Sequence, residues 1–360
     1  MMRETRGSAS VCTDSRRKSV RGGNRVGVLA AALCVIPLLA LACDRGAAPN
    51  TGGTAARGAP ALRGRVMATV RWDTVFALGG DAQDTTLLIP RTLAARGGTL
   101  YVFDHGDARL KAFDRTGGLR WSFGREGQGP GEFANPLDVE VGPDGAVWVL
   151  DAWAGRLTVV APHGELQQQI PLHDIGGRDV MPLQGQTLVT GFSRPGWLFA
   201  AIGADGRVLA GGETPIAEMA DAPNPFLFQT TAAVSADGAT WAATFPWGDR
   251  LLVYDHRELR CEGRLVEAEP FPIHDSRPIP QLPIWAVDIA VGDSSVFVLA
   301  RGRTSAALRL LDEYDARDCR YRRTLLLPRE ARALAYADGV FYIEHEDPSP
   351  QILALRPVFE

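Results

Sequence analysis

An all-β, six-bladed propeller of four-stranded antiparallel blades is the fold that the sequence predicts. Three observations carry the prediction. A unit of four short strands and three turns recurs six times; 39 Gly and 24 Pro in 360 residues supply turns at high density; and first strands such as "TLAA", "AAVS", "DIAV" and "ALAY" are rich in small residues. Aligning the second strands puts Asp104, Asp151, Gly191, Thr244, Ala300 and His345 at equivalent positions, at intervals of 47, 40, 53, 56 and 45 residues. Six small sheets cannot each bury two faces alone. Set radially, each covers its neighbours and leaves only short, protected edges.

In chain order, residues 1–42 come first. A basic stretch with Arg16, Arg17, Lys18, Arg21 and Arg25 precedes the uncharged run Val26–Ala42, and the run ends in "LALAC". This reads as an export signal cleaved before a cysteine. It resembles the bacterial lipoprotein signal, and the resemblance implies that Cys43 carries the lipid and becomes the mature N-terminus. Residues 43–64 are rich in Ala, Gly, Pro and Thr, lack apolar periodicity and read as a flexible tether. The propeller is expected over 65–360. Its last unit shows only three strands, and "RVMATVRWDTVFAL" (65–78) has no partner of its own. That segment is expected to supply the missing outer strand and close the ring.

The second unit is the most explicit: "FGREGQGPGEFANPLDVEVGPDGAVWVLDAWAGRLTVV". It resembles an NHL repeat of the six-bladed propeller lipoproteins of bacteria. The glycine- and proline-rich crossing loop, the Pro-Asp-Gly turn and an Asp followed by Arg five positions on carry the resemblance. The first unit repeats that spacing with Asp104 and Arg109; the other four are degenerate. The crossing loop 124–136 must span a blade's full width, so its glycines, Gly131 among them, supply turns open to positive φ, and Phe133 is expected to plug two blades. Asp104 with Arg109, and Asp151 with Arg156, are expected to pair structurally within their blades.

Charge and cysteine usage limit the function. Without residues 1–43 the chain keeps 31 basic and 40 acidic side chains, a net of −9. That disfavours nucleic acid, which demands a basic surface. Only Lys18 and Lys111 are lysines. Cys261 and Cys319 fall near the starts of outer strands in neighbouring blades. Outer strands diverge radially and a disulfide needs Cα atoms within about 7 Å, so the two are expected to stay unpaired.

Loops between second and third strands share one face with the blade-to-blade crossings. Trp153, Trp197 and Trp247 fall in three consecutive members of this set, accompanied by Arg156, Arg194 and Arg250. Tryptophan beside arginine suits a ligand with flat apolar faces and acidic or hydroxyl groups. Two Pro-rich crossings, 211–229 and 267–285, are long enough to form a rim. The expected role is therefore non-catalytic: a monomer held at the membrane by its N-terminal lipid, on the periplasmic side of the inner or outer membrane, that binds a peptide, glycan or protein partner. No cofactor is predicted for it. The alternative is a metal-dependent lyase or hydrolase at the channel mouth, with Ca or Zn held by His105, His345 and Glu346.

Overall fold

The computed structural model describes residues 64–81, 83–173, 175–191, 196–219, 224–301 and 306–360. The expected signal peptide (1–42), Cys43, nearly all of the expected tether (43–64) and Arg194 lie outside these residues. Strand β1 (Val70–Gly79) opens the described fold. Blade 1 follows as β2 (Pro90–Arg96), β3 (Thr99–Asp104), β4 (Arg109–Phe113) and β5 (Leu119–Phe123). Blade 2 is β6 (Pro136–Val141), β7 (Val147–Asp151), β8 (Arg156–Val160) and β9 (Leu166–Pro171). Blade 3 is β10 (Gly177–Leu183), β11 (Gln186–Gly191), β12 (Trp197–Ile202) and β13 (Val208–Glu213). Blade 4 is β14 (Thr231–Val234), β15 (Thr240–Thr244), β16 (Arg250–Asp255) and β17 (Glu258–Arg264). Blade 5 is β18 (Ala286–Val291), β19 (Ser295–Ala300), β20 (Leu310–Asp315) and β21 (Tyr321–Leu326). Blade 6 is β22 (Ala333–Ala337), β23 (Val340–His345) and β24 (Gln351–Phe359), completed by β1.

The six residues aligned by sequence are the last residues of the six second strands. The first strand of each blade is innermost, and successive innermost strands contact one another around the axis. Small residues there (Ala94, Ala233, Ala290, Ala335) allow that close approach. Apolar clusters fill the gaps between adjacent blades, as in Leu100, Val102, Phe113, Tyr342 and Ala354 between blades 1 and 6. We call the face with the second-to-third-strand loops and the crossings the top.

The closure extends further than one strand. Strand β1 runs antiparallel to β24 from Val70↔Phe359 to Gly79↔Gln351, with Trp72 opposite Pro357. Before it, residues 66–68 lie along the outer edge of blade 5, where the Ala68 amide donates to Thr324 O and the Thr324 amide donates to Val66 O (2.9 and 2.8 Å). The Arg65 side chain is buried; its Nε and Nη2 donate to the two oxygens of Asp312 (3.0 and 2.8 Å), and it also bonds Glu267 and the Val266 carbonyl. One segment thus ties blades 4, 5 and 6.

The expectation that the cysteines stay apart is overturned. Cys261 and Cys319 form a disulfide, with Cα atoms 5.8 Å apart. The outer strands do diverge, but Cys319 lies in the turn that precedes β21, and that turn reaches back to the outer strand of the blade before it. Gly263 makes the approach feasible, because a Cβ there would sit 2.6 Å from the Cys319 carbonyl oxygen. Similar turns lean on the preceding blade elsewhere: Trp121 Nε1 donates to Pro162 O (2.9 Å) and Gln168 Nε2 to Ala204 O (3.3 Å).

Candidate functional site

On the top face the crossing loop of the second blade is fixed from both ends. Asp151, fully buried, accepts hydrogen bonds from the Ala134, Asn135 and Ala154 amides (2.6, 3.0 and 3.1 Å). The Arg156 guanidinium donates to the carbonyls of Gln128, Gly129 and Glu132. Contrary to the pairing expected from sequence, aspartate and arginine do not bond each other; Asp151 takes amides and Arg156 takes carbonyls of the loop backbone, alongside the loop's own bonds such as Gly127 N–H to Phe133 O (3.0 Å). Gly131 has φ +73°, and Phe133 is fully buried, with ring centroids 5.0 Å from Phe103 and 6.0 Å from Phe123.

The first blade differs in the same way. Asp104 takes the amides of Leu88, Ile89 and Gly106 (2.8, 2.7 and 3.0 Å), and its ionic partner is Lys111 (2.8 Å). Arg109 instead donates to the Ser122 hydroxyl (3.2 Å). Register permits either partner: Arg109 lies directly opposite Asp104, and Lys111, two residues on, points to the same side and is the one that reaches back. Burial would raise the Asp104 carboxyl, but Lys111 and the three amides outweigh it and hold it below its ordinary value.

The three tryptophans are not equivalent. Trp197 is half-buried against the apolar cluster between blades 2 and 3, over Gly211, where a Cβ would meet the indole at 2.3 Å. Trp247 packs on the cluster between blades 3 and 4, beside Phe245 and Phe271. The long crossings contribute Ile216, Leu227, Phe228, Phe271 and Leu282 to that cluster, so they fold inward as well as rimming the face. Arg250 is buried among Asp249, Glu218 and Glu262 (2.5, 3.3 and 2.9 Å). Trp153 alone among the described tryptophans is exposed, at 65%. Its loop is held by the Ala154–Asp151 bond.

Near the channel mouth, where blade 6 meets blade 1, stands a group of titratable side chains. Glu346 bridges Arg91 (2.6 Å) and Arg332. Glu344 is only 1% exposed, and among the described residues neither of its carboxylate oxygens has a hydrogen-bond partner. Burial, reinforced by Glu346, pushes its carboxyl up to about 7 against the opposing pull of Arg91 and Arg332. His105 is driven down, first by burial and then by Arg91. Its ring lies edge-on to Phe103 at 5.0 Å, and His345 Nε2 lies 2.7 Å from Gln351 Oε1. The three residues suggested for a metal are each engaged elsewhere. Among the described residues no three His, Cys, Asp or Glu side chains gather in a way that could hold a metal ion.

The channel itself carries carboxylates that sequence reasoning missed. Asp138 accepts from the Val180 amide (2.8 Å), Asp288 from the Leu334 amide (2.7 Å) and Glu140 from the Val234 amide (3.3 Å). Each acceptor sits on one innermost strand and each donor on the innermost strand of another blade. The inner edge of such a strand has no further strand to pair with, so these acids satisfy exposed edge amides and stitch the blades around the axis. Asp179 accepts from the Thr190 and Thr230 hydroxyls (both 2.5 Å). Withdrawal from bulk water raises all four, Asp288 to about 7, and mutual repulsion adds to it for Asp138 and Glu140. The signals were present: acids interrupt the apolar first strands "PLDVEV" and "AVDIAV", and Glu344 occupies a second-strand position held by Phe103, Leu150, Thr190, Ala243 and Leu299 in the other blades.

No family model matches the chain, and no curated protein matches it in sequence. Solved structures do. A Bacteroides fragilis protein described as exported is 12% identical, with a TM-score of 0.53, over 82% of this chain and 97% of its own. A member of the DUF4221 family from Bacteroides vulgatus is 11% identical, with a TM-score of 0.54, over 82% of this chain and 99% of its own. At such identity the likeness is one of fold. The chain is a six-bladed β-propeller, closed by a strand from its N-terminal side.

Proposed function

We propose that this protein is an exported, lipid-anchored binding module that takes a peptide, glycan or protein partner on the top face of its propeller. The observation that carries the reading is Trp153: a large aromatic side chain, 65% exposed, on a loop whose backbone is pinned by a buried aspartate. Such a residue presents flat apolar area at little conformational cost, which is why tryptophan dominates binding hot spots. Trp197, Trp247, Arg156 and Arg250 have partners within the fold and serve to hold that face rigid. The Cys261–Cys319 disulfide supports an oxidising compartment, in keeping with the signal-like N-terminus and acylation at Cys43. The test is to probe peptide and glycan arrays with the wild-type domain and with Trp153→Ala. Binding should fall by about tenfold or more while the melting temperature is unchanged. Equal binding by both proteins would remove Trp153, and with it the reading.

A further inference from the structure

We propose that a cleft between blades 2 and 3, on the face opposite the loop-rich one, is a binding site for a neutral, ring-bearing small molecule carrying hydroxyl or amide groups. The argument starts from how the other gaps are sealed. By strand register, one outer-strand position in each blade points at the next blade. In blade 1 it is Trp121, opposite Ala112, whose indole packs against Gly164 and Tyr101. In blade 6 it is Phe76, against Gly117. In blade 4 it is Cys261, covalently joined to the neighbouring turn. Where blade 3 offers only Ala210, blade 4 answers with the stacked pair Trp241 and Tyr254, centroids 4.4 Å apart.

The gap from blade 2 to blade 3 has neither device. The outer-strand position is Gln168, opposite Val159, and the pair matching Trp241 and Tyr254 is Thr187 and Ile202. A cleft of about 400 Å³ results, within the size range of small-molecule sites. Trp148 and Leu183 give it an apolar wall, and Asp144, Gln186 and Thr187 line its rim. The side chains of Gln186 and Thr187 hold no hydrogen bond among the described residues, so they are available to a ligand. No lysine or arginine lines the cleft, and Asp144 would repel an anion. An indole closes the corresponding gap after blade 1 and a phenyl ring that after blade 6, so a ring-bearing molecule suits this one. The inference is independent of the proposed role of Trp153, which lies on the other face.

The probe is 4-hydroxybenzamide, with 4-hydroxybenzoate as its anionic counterpart, titrated by saturation-transfer NMR. We expect saturable binding of the amide at about 1 mM or tighter, at least about tenfold weaker binding of the carboxylate, and loss of binding in Gln168→Trp, which restores the plug. Thr187→Trp, filling the cleft from the other wall, gives the same answer should the first variant fold poorly. Trp153→Ala should bind the amide as the wild type does. Absence of saturable binding, equal binding of both probes, or undiminished binding in the filled variants would overturn the proposal.

Discussion

Replacing Glu344 by Gln should make stability less dependent on pH, in a way that isolates one carboxyl. In the folded protein this group titrates at about 7 against an ordinary 4.5. Between those values the folded chain holds a proton that the unfolded chain has released, so stability falls as pH rises through that window. Below about 4.5 both states are protonated and the group contributes no pH dependence. Above about 7 both are ionised and the whole penalty is present, about 3 kcal/mol at ~1.4 kcal/mol per tenfold. Glutamine keeps the shape and escapes the penalty. Wild type and variant should therefore differ by a constant near pH 4.5, and the variant should gain about 3 kcal/mol relative to that baseline by pH 8, or about 6 °C in melting temperature for a chain of this size. The other raised carboxyls, Asp138, Glu140, Asp179 and Asp288, act in the same direction but are common to both proteins and cancel. Denaturant titration at pH 5, 6, 7 and 8 is the assay. A difference between the two proteins that does not change across this range would refute the assignment of a buried, partnerless carboxyl at the seam.

Two further outcomes test the closure of the ring. Reducing the Cys261–Cys319 bond, or replacing both residues by serine, should lower stability by up to about 4 kcal/mol, from the loop entropy of a bond spanning 58 residues; a melting temperature unmoved by reductant would show that the disulfide adds nothing to an already closed ring. Arg65→Met should cost about 3 kcal/mol, because it strands the buried Asp312 without its bidentate partner; denaturant midpoints that agree within error would mean that the segment ahead of β1 is an ornament on blade 5.

The sixfold array and its closure were legible because both rest on backbone pattern. Short apolar runs separated by Gly- and Asp-rich turns mark strands whatever their neighbours are, and a final unit lacking one strand next to an unpartnered apolar segment leaves one economical solution. Phe133 was legible for the same reason: a single large apolar residue inside a glycine-rich loop must go somewhere dry. The side-chain partners were less so. Asp104 and Arg109 have the spacing of a pair and share a face, yet Lys111, two residues on and on that same face, is the side chain that reaches the carboxylate. Cys261 and Cys319 looked distant because strands were compared with strands, when the bond runs from a strand to a turn of the next blade. The tryptophans looked like a common rim, but Trp197 and Trp247 depend on what lies opposite them in the adjacent sheet, and a single unit's pattern says nothing of that. Glu344 was visible in principle, as an acid at a position otherwise uncharged, once the six units are stacked against one another.

The pairing of Val70 with Phe359 and the anchoring of Arg65 on blades 4 and 5 also set an order of assembly. Strand β1, the first strand of the described residues, finds its strand partner only after the last strand has been made. Until then β1 has no strand to pair with, although residues 66–68 and the Trp72 indole can already lie on blade 5. The ring is thus completed in a late step, and a chain cut short before β24 would leave β1 without a strand to pair with.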